Sequence, residues 1–311
     1  MSALKVVNVS KRFKDKLAVD NISFEIRERE IFGLIGPNGA GKSTLLNIIT
    51  GIIRANSGSV EVCGYNIDKE TLKAKACIGY VMQDLALIEA LTAYDNLEYF
   101  GALYGLSGKL LKERIQEALK IAGLEDTKKK KVNKFSGGMK RRLNMAVALM
   151  HHPKLLILDE PTVGVDAQSR NHIFDFIKST ANKWGTSILY TSHYMEEVEE
   201  LCERIFIIDK GTEIASGTQK EIRDTFSKNK KVEIEVSKLT GDVLLEIEAI
   251  EGITRIEEKK DKLVCMISEK FKILNLLTIL EEKDVEVRNI NYVEEKLEDI
   301  FLALTGNKLR D

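Results

Sequence analysis

Apolar and polar residues alternate along the first thirty residues and again near residue 60, which is the pattern of β-strands that bury one face. The alternating segments are Leu4–Val9, Leu17–Val19, Ile22–Ile26 and Gly58–Gly64. We predict that these segments pair as one antiparallel sheet. Phe13 falls in a predicted turn between two of the strands, which is an unusual place for a large apolar ring.

A second group of segments is almost continuously apolar, which is typical of strands buried on both faces of a parallel sheet. They are Ile31–Ile35, Ile78–Met82, Leu155–Leu158 and Ser187–Ser192. Between the second and third of these strands, from about residue 84 to residue 150, the apolar spacing changes to i, i+3 and i+4. The sequence therefore predicts an α/β domain with a helical insertion.

Within the insertion, the clearest helical segments are Thr92–Phe100 and Leu110–Leu119. Because glycine interrupts helices, we predict that glycines mark the boundaries of these two. The expected boundary glycines are Gly101, Gly105 and Gly108, with Gly123 closing the second helix.

The composition changes after Gly217, and a polar, basic linker at 227–231 precedes a smaller unit. We predict strands at 231–236, 253–258, 263–268 and 284–289, and helices at 242–250 and 271–280. This β-α-β-β-α-β order is typical of a ferredoxin-like unit. A last helix places apolar residues on one stripe, which we expect to pack on that sheet: Leu297, Ile300, Phe301 and Leu304. We predict two domains, 1–226 and 227–311.

Composition restricts the function classes. The net charge of the 311 residues is −1, so no overall positive field favours nucleic acid, and we expect no nucleic-acid partner. No apolar run approaches the roughly 18–20 residues that span a bilayer. The first residues lack the pattern of a signal peptide, which predicts a cytoplasmic protein. The four cysteines are scattered singly, which favours reduced thiols over disulfides or a metal site.

A glycine-rich loop between a predicted strand and a predicted helix fits the phosphate-binding pattern G-x-x-x-x-G-K-[ST]. Its residues are Gly36, Pro37, Asn38, Gly39, Ala40, Gly41, Lys42, Ser43 and Thr44. We expect the glycines to adopt positive φ and to turn backbone N–H groups toward an anion. Lys42 would reach the β- and γ-phosphates, and the Ser43 hydroxyl would bind Mg²⁺. The loop predicts a nucleoside triphosphate site.

Three further groups of residues could act on a phosphate. Asp159 and Glu160 end a buried strand, where paired carboxylates suit Mg²⁺ binding and activation of water. Ser136, followed by Gly137 and Gly138, fits a helix N-terminus with exposed N–H groups, although that pattern alone is weak. His193 follows another buried strand, which favours a functional histidine over a core histidine.

These residues together resemble the ATP-binding cassette (ABC) ATPases over about residues 2–225. Five motifs stand in the order of that family: the P-loop Gly36–Thr44, the Q-loop glutamine Gln83, the signature Phe135–Met139, the Walker B strand Leu155–Glu160 and the switch histidine His193. Val163–Asp166 stands where the family has its D-loop. Phe13 stands where it has an aromatic residue that stacks on the base; from the residues alone, stacking and capping of the sheet core are equally supported.

The resemblance implies a P-loop NTPase fold with an antiparallel β subdomain and a helical subdomain at about 84–150. It also implies that two copies close head to tail on two ATP molecules. Ser136, Gly137 and Gly138 of one copy would then contact the phosphate held by the other copy. By the same resemblance, Mg²⁺ would be held by Ser43, Gln83 and Asp159. The catalytic residues would be Glu160, His193 and Gln83.

Some residues depart from the commoner family pattern. The signature begins with Phe135 and ends with Met139, where leucine and glutamine are common, and Met82 precedes Gln83 where many members have proline. None of these differences removes a group with an expected chemical role. With the basic residues after the signature, they resemble the bacterial branch that serves ABC-2 type drug, antibiotic and sodium exporters.

That branch implies an energising subunit that works with a separate ABC-2 type transmembrane permease, on the cytoplasmic face of the membrane. We expect docking through the segment between Gln83 and the signature, especially Asp84–Tyr104, although we expect most of its apolar residues to belong to the helix core. We also expect the C-terminal domain to steady or regulate the dimer. The alternative is an ABC ATPase of translation or DNA maintenance. Such proteins normally carry two cassettes or a long coiled coil, whereas this sequence has one P-loop and a short insertion.

Overall fold

In the computed structural model, the alternating segments form the predicted antiparallel sheet, with strand order β2-β1-β4-β5. The structure describes residues 2–192, 194–226, 230–237, 239, 241–259, 262–268, 270–293 and 296–306. The strands are β1 (Ser2–Phe13), β2 (Lys16–Arg27), β4 (Ser57–Val62) and β5 (Tyr65–Asn66). The two short strands predicted at 17–19 and 22–26 are one strand, because an irregularity beside Asn21, whose φ is 50°, lets β2 continue.

The uninterrupted apolar segments form a six-stranded sheet with the order β10-β9-β3-β8-β7-β6. Its strands are β3 (Ile31–Ile35), β6 (Ile78–Val81), β7 (Leu155–Asp159), β8 (Ser187–Thr191), β9 (Arg204–Asp209) and β10 (Thr212–Thr218). Only the pair of β9 with β10 is antiparallel among the described pairs. The carboxyl ends of β3, β6, β7 and β8 therefore meet at one edge of the sheet.

Helices cover the sheets, and one apolar core joins them. In the first unit, the helices outside the insertion are α1 (Lys42–Ile49), α2 (Thr71–Ala76), α6 (Ala167–Trp184) and α7 (Met195–Leu201), and α8 (Gln219–Phe226) follows them into a second, C-terminal unit. Buried side chains of the antiparallel sheet, such as Val6, share a cluster with Phe32 of β3, Leu45 of α1 and Phe206 of β9. Hydrophobic burial of this kind is the main force that fixes the P-loop between a strand and a helix.

The helical insertion contains α3 (Ala93–Leu103), α4 (Gly108–Ala122) and α5 (Gly137–Ala148). Gly123 ends α4 with a φ of 60°, as predicted. Gly101 does not end α3 but lies inside it, so that prediction is wrong. A Cβ at Gly101 would lie 2.5 Å from the Leu111 side chain, so glycine is needed here for close packing of α3 on α4. Gly108 begins α4 and does not precede it.

The first unit comprises the residues up to Gln219 together with Thr305 and Gly306, and the second unit runs from Lys220 to Leu304, which includes most of α8. Its elements are β11 (Lys230–Val236), α9 (Gly241–Glu248), β12 (Ile253–Lys259), β13 (Lys262–Ile267), α10 (Ile273–Glu282), β14 (Val287–Val293) and α11 (Leu297–Thr305). The sheet order β12-β13-β11-β14, with antiparallel pairs, gives the predicted ferredoxin-like unit. The domain boundary at residue 226 stays a prediction.

One detail of the second unit differs from prediction. The last strand begins at Val287 and not at residue 284, because a turn with Asp284 at a φ of 54° follows α10. The apolar stripe of α11 is buried at Leu297, Ile300 and Phe301. The prediction that this stripe packs on the sheet of the second unit stays a prediction. No helix among the described residues is long and apolar enough to cross a membrane.

Candidate functional site: a phosphate-binding cleft

The P-loop connects β3 to α1 at the edge where the parallel strands end. Gly39 and Gly41 have φ values of 78° and 112°, as predicted for the turn. Gly36 does not have a positive φ, so our reason for that glycine is wrong. A Cβ at Gly36 would lie 2.2 Å from the carbonyl oxygen of Ile208, and only glycine allows β3 to leave the sheet so close to β9.

Lys42 places a buried positive charge over the loop. Its side chain is 6% exposed, and its Nζ donates hydrogen bonds to the carbonyl oxygens of Gly36 at 2.5 Å and Pro37 at 3.2 Å. Burial lowers the pKa of Lys42 from its ordinary value, and the carboxylates of Glu160 and Asp159 raise it in part. A desolvated ammonium group among backbone donors is a strong site for phosphate oxygens.

A cleft of about 300 Å³ opens over the loop and brings together residues far apart in the sequence. It is lined by Ala18, Asn38, Gly39, Ala40, Gly41, Lys42, Ser43, Thr44, Gln83 and Glu160. Gln83 follows β6 and Glu160 follows β7, so the parallel sheet delivers both to the P-loop. The signature residues are not among those that line the cleft.

The acidic pair at the end of β7 is held by Thr191 at the end of β8. The Thr191 hydroxyl donates to Asp159 Oδ1 at 2.9 Å, and the backbone N–H of Glu160 donates to the same hydroxyl at 3.0 Å. Glu160 is buried and has a φ of 50°, a strained conformation for a residue with a side chain. We missed Thr191 in the sequence, although its place at the end of a predicted strand was a usable signal.

Phe13 is the last residue of β1, next to the turn at Lys14. Its side chain is 46% exposed, and Lys11 Nζ lies 5.2 Å from the centre of the ring. Phe13 therefore does not cap the sheet core, and that alternative is wrong. The ring is free of the core that holds the other aromatic residues of this region, such as Phe32.

The signature segment begins α5 away from the cleft lining. Ser136 caps the helix as predicted, because its hydroxyl accepts a hydrogen bond from the N–H of Met139 at 3.3 Å. Ser136 and Gly137 are exposed. Gly138 is buried, and a Cβ there would lie 2.3 Å from the hydroxyl of Ser169 in α6. The first two residues of the segment thus expose helix N-terminal groups, whereas Gly138 packs closely against α6.

Arg141, in the next turn of α5, links the signature helix to the loop that carries Gln83. Its Nη1 donates to the carbonyl oxygen of Gln83 at 2.7 Å, and its Nη2 contacts the carbonyl oxygen of Val163 at 3.5 Å. Burial lowers the pKa of Arg141, and Asp84 partly opposes this. We did not predict this role from the run of basic residues. His193, our predicted switch histidine, lies outside the described residues.

Comparison with known proteins identifies both parts of the chain. A family described as ABC transporter matches residues 19–163, and one described as ATP-binding protein DrrA1-3-like, C-terminal domain, matches residues 217–305. The linearmycin resistance ATP-binding protein LnrL of Bacillus subtilis is 43% identical over 99% of this chain and 100% of its own length. The Nod factor export ATP-binding protein I of Cupriavidus metallidurans is 36% identical, over 99% of both chains.

A solved structure is similar to the first unit. The ATP-binding cassette MJ0796, in a dimeric post-hydrolysis state bound to ADP and Pi, is 29% identical with a TM-score of 0.62. The match covers 69% of this chain and 98% of that cassette. The predicted fold class and the resemblance to ABC ATPases are confirmed. The chain belongs to the ABC transporter family, as one of its ATP-binding and ATP-hydrolysing proteins.

Proposed function

We propose that this chain is the ATPase subunit of an ABC exporter and that it drives a separate membrane subunit. The observation that carries the proposal is the cleft, which combines the P-loop with Gln83 and Glu160. The relatives named for linearmycin resistance and Nod factor export support export as the process. Translation and DNA maintenance find no support among these relatives.

Lys42 and the backbone N–H groups of the P-loop would bind the phosphates of ATP. The Lys42 ammonium, now bonded to two loop carbonyl oxygens, would turn to the β- and γ-phosphates. The exposed ring of Phe13 would stack on the base, since aromatic rings stack on any base through their faces. Each of these contacts binds ATP and positions its γ-phosphate for the groups across the cleft.

Glu160 would accept a proton from the attacking water or hold that water in line. Its carboxylate belongs to a buried residue of the cleft lining, where a base is shielded from solvent. Gln83 lines the same cleft and would contact that water or the metal ion. His193 would contact the γ-phosphate, as the family resemblance implies. General base catalysis typically supplies about 10²- to 10⁴-fold in rate.

The residues also fit Mg²⁺. Ser43, Gln83 and Asp159 would offer only oxygen atoms, the ligands that Mg²⁺ prefers, with phosphate oxygens completing its shell. Ser43 and Gln83 line the cleft, and the Asp159 carboxylate is fixed by Thr191. Bound Mg²⁺ neutralises negative charge that develops on the phosphate oxygens.

A second copy of the chain would complete the site. Ser136, Gly137 and Gly138 do not line the cleft, yet Ser136 and Gly137 expose helix N-terminal groups suited to an anion. A head-to-tail homodimer would place this surface over the γ-phosphate held by the partner's P-loop. The dimeric state of the MJ0796 cassette supports this arrangement.

The membrane partner would be an ABC-2 type permease, and the chain would lie on the cytoplasmic face of the membrane through that partner. The docking segment Asp84–Tyr104 exposes several large apolar side chains, which suits a protein interface. They are Leu85, Ile88, Tyr99, Leu103 and Tyr104. Purification of the tagged chain from membranes should recover a membrane protein, and recovery of ribosomes or DNA instead would overturn the proposal.

The catalytic part of the proposal is tested by Glu160→Gln. This change keeps the shape of the side chain and removes its basicity, so we expect intact ATP binding and a turnover rate lower by about 10²- to 10⁴-fold. Glu196→Gln is the matched control, since Glu196 is exposed on α7. Measurement of ATP affinity and of phosphate release decides the outcome. A Glu160→Gln protein that hydrolyses ATP at the normal rate would contradict the assignment.

A further inference from the structure

A buried carboxylate outside the cleft lining accepts three hydrogen bonds from hydroxyl groups. Glu197, on α7, is 1% exposed. Its Oε2 accepts from Thr162 Oγ1 at 2.8 Å, Tyr190 Oη at 2.8 Å and Ser192 Oγ at 2.5 Å. All three donors are themselves buried. We call these four residues the Glu197 cluster.

The ion pair of this carboxylate with Arg170 is long. Arg170 Nη1 lies 3.9 Å from Glu197 Oε1, beyond hydrogen-bond distance, and Oε1 has no hydrogen-bond partner among the described residues. Burial of a charged group is costly, and well-packed apolar residues often serve stability as well or better. A buried carboxylate held by hydroxyls is therefore better suited to fixing the positions of its donors than to stabilising the fold.

The three donors come from the segments that carry the catalytic groups. Thr162 stands two residues after Glu160 in the chain. Tyr190 pairs with Leu158 where β8 runs beside β7. Ser192 directly follows Thr191, whose hydroxyl bonds Asp159 and the N–H of Glu160.

Glu160 needs such support because its backbone is strained. A φ of 50° is unfavourable in a residue with a side chain and persists only where the surroundings hold it. Thr191 holds the N–H of Glu160, and the bond from Thr162 to Glu197 holds the chain just after it. The strained residue is thus fixed from both sides.

We propose that Glu197 is a positioning residue for ATP hydrolysis, which holds the Glu160 segment in its strained, productive conformation through the hydroxyl of Thr162. The inference rests on the proposed role of Glu160. Glu197 is not among the residues that line the cleft, so it would act through Thr162 and not by direct contact with ATP. A displacement of about 1 Å in a reacting group can lower a rate about 10²-fold, so a remote anchor of this kind matters for turnover.

The test compares ATP turnover and ATP affinity in matched variants of the full chain. Thr162→Val keeps the shape of the side chain but removes the hydroxyl, and Thr162→Ser keeps the hydroxyl. Glu197→Gln weakens the acceptor, and Glu196→Gln is its exposed control. We expect kcat to fall about 10- to 100-fold in Thr162→Val and Glu197→Gln, with KM within about twofold of the wild type. Thr162→Ser and Glu196→Gln should keep kcat within about twofold.

A double variant sharpens the result. If Thr162 acts through Glu197, Thr162→Val combined with Glu197→Gln should lower kcat little further than either change alone. If Glu197→Gln does not fold, Thr162→Val and Thr162→Ser still decide the question, because both leave the Glu197 side chain in place. Normal kcat in Thr162→Val, or equal losses in Thr162→Val and Thr162→Ser, would overturn the inference.

The failure of the inference differs from that of the proposed function. If Glu160→Gln abolishes turnover while Thr162→Val and Glu197→Gln hydrolyse ATP at the wild-type rate, Glu160 is catalytic and Glu197 does not position it. If the Glu160→Gln protein hydrolyses ATP at the normal rate, Glu160 is not catalytic, and the inference about Glu197 is wrong as well.

Discussion

The P-loop and the signature segment are both glycine-rich turns that begin a helix, yet their surroundings differ. The P-loop lies in a cleft with a buried lysine and two carboxylates nearby. The signature presents Ser136 and Gly137 to solvent, with Gly138 packed on Ser169. Backbone donors alone make both surfaces suitable for an anion. Under the proposed function, the first surface would bind ATP by itself, whereas the second would act only on a ligand that another molecule holds.

The largest expected effect is a loss of ATP affinity when the P-loop is changed, compared with no loss when the signature is changed. Lys42→Ala removes the buried cation, and hydrogen bonds to charged groups contribute about 1.5–3 kcal/mol each, so ATP affinity should fall at least about tenfold. Ser136→Ala should leave the affinity of the isolated chain within about twofold. Binding of a fluorescent ATP analogue measures both, with Lys134→Ala as an exposed control. Equal losses in the two variants would remove the distinction.

The next effect concerns the packing of Gly138, in the signature, against Ser169 of α6. Gly138→Ala forces a Cβ to within 2.3 Å of the Ser169 hydroxyl, whereas a Cβ at Gly137 meets nothing within 4 Å. Overpacking of this kind typically costs about 1–3 kcal/mol, so Gly138→Ala should lower Tm by several degrees and Gly137→Ala should not. Thermal unfolding measures the difference. Addition of Ser169→Gly to Gly138→Ala should restore part of the Tm; no recovery would place the strain elsewhere.

A smaller effect is the pH dependence of ATP affinity, which tests the buried charge of Lys42. Burial lowers the pKa of Lys42, so the free protein loses this proton at a lower pH than an exposed lysine does. Because phosphate binding favours the ammonium form, ATP affinity should decrease as the pH rises through that lowered pKa. Binding on the alkaline side should also take up a proton, which calorimetry in two buffers detects. Lys42→Arg should abolish this decrease. If the affinity of the Lys42→Arg protein still decreases at alkaline pH, a group other than Lys42 causes the decrease.

The smallest expected effect on the cleft comes from the C-terminal unit. All residues that line the cleft belong to the first unit, so deletion of residues 227–311 should leave ATP affinity within about twofold. Our expectation that this unit steadies or regulates the dimer predicts a change in dimerisation or in ATP turnover. Sedimentation with ATP and the Glu160→Gln change measures dimerisation. Unchanged dimerisation, turnover and transport would contradict that expectation.

The elements and motifs that depend on local sequence could be predicted. The P-loop has its strand, its helix and its glycines within twenty residues, and the alternation of apolar residues located most strands. Predictions failed where contacts between distant segments decide the outcome. Gly36 is required by a carbonyl of Ile208, and Gly101 by the side chain of Leu111. Thr191 holds Glu160 only because β8 pairs with β7.

The central claim is that each ATP site is shared between two copies of the chain. A Lys42→Ala protein and a Ser136→Arg protein should each be inactive, because every site in either homodimer lacks one half. Their mixture should recover up to about a quarter of the wild-type turnover, since half of the dimers then contain one complete site of two. No recovery at any ratio, together with ATP turnover by monomeric wild type, would contradict the shared site.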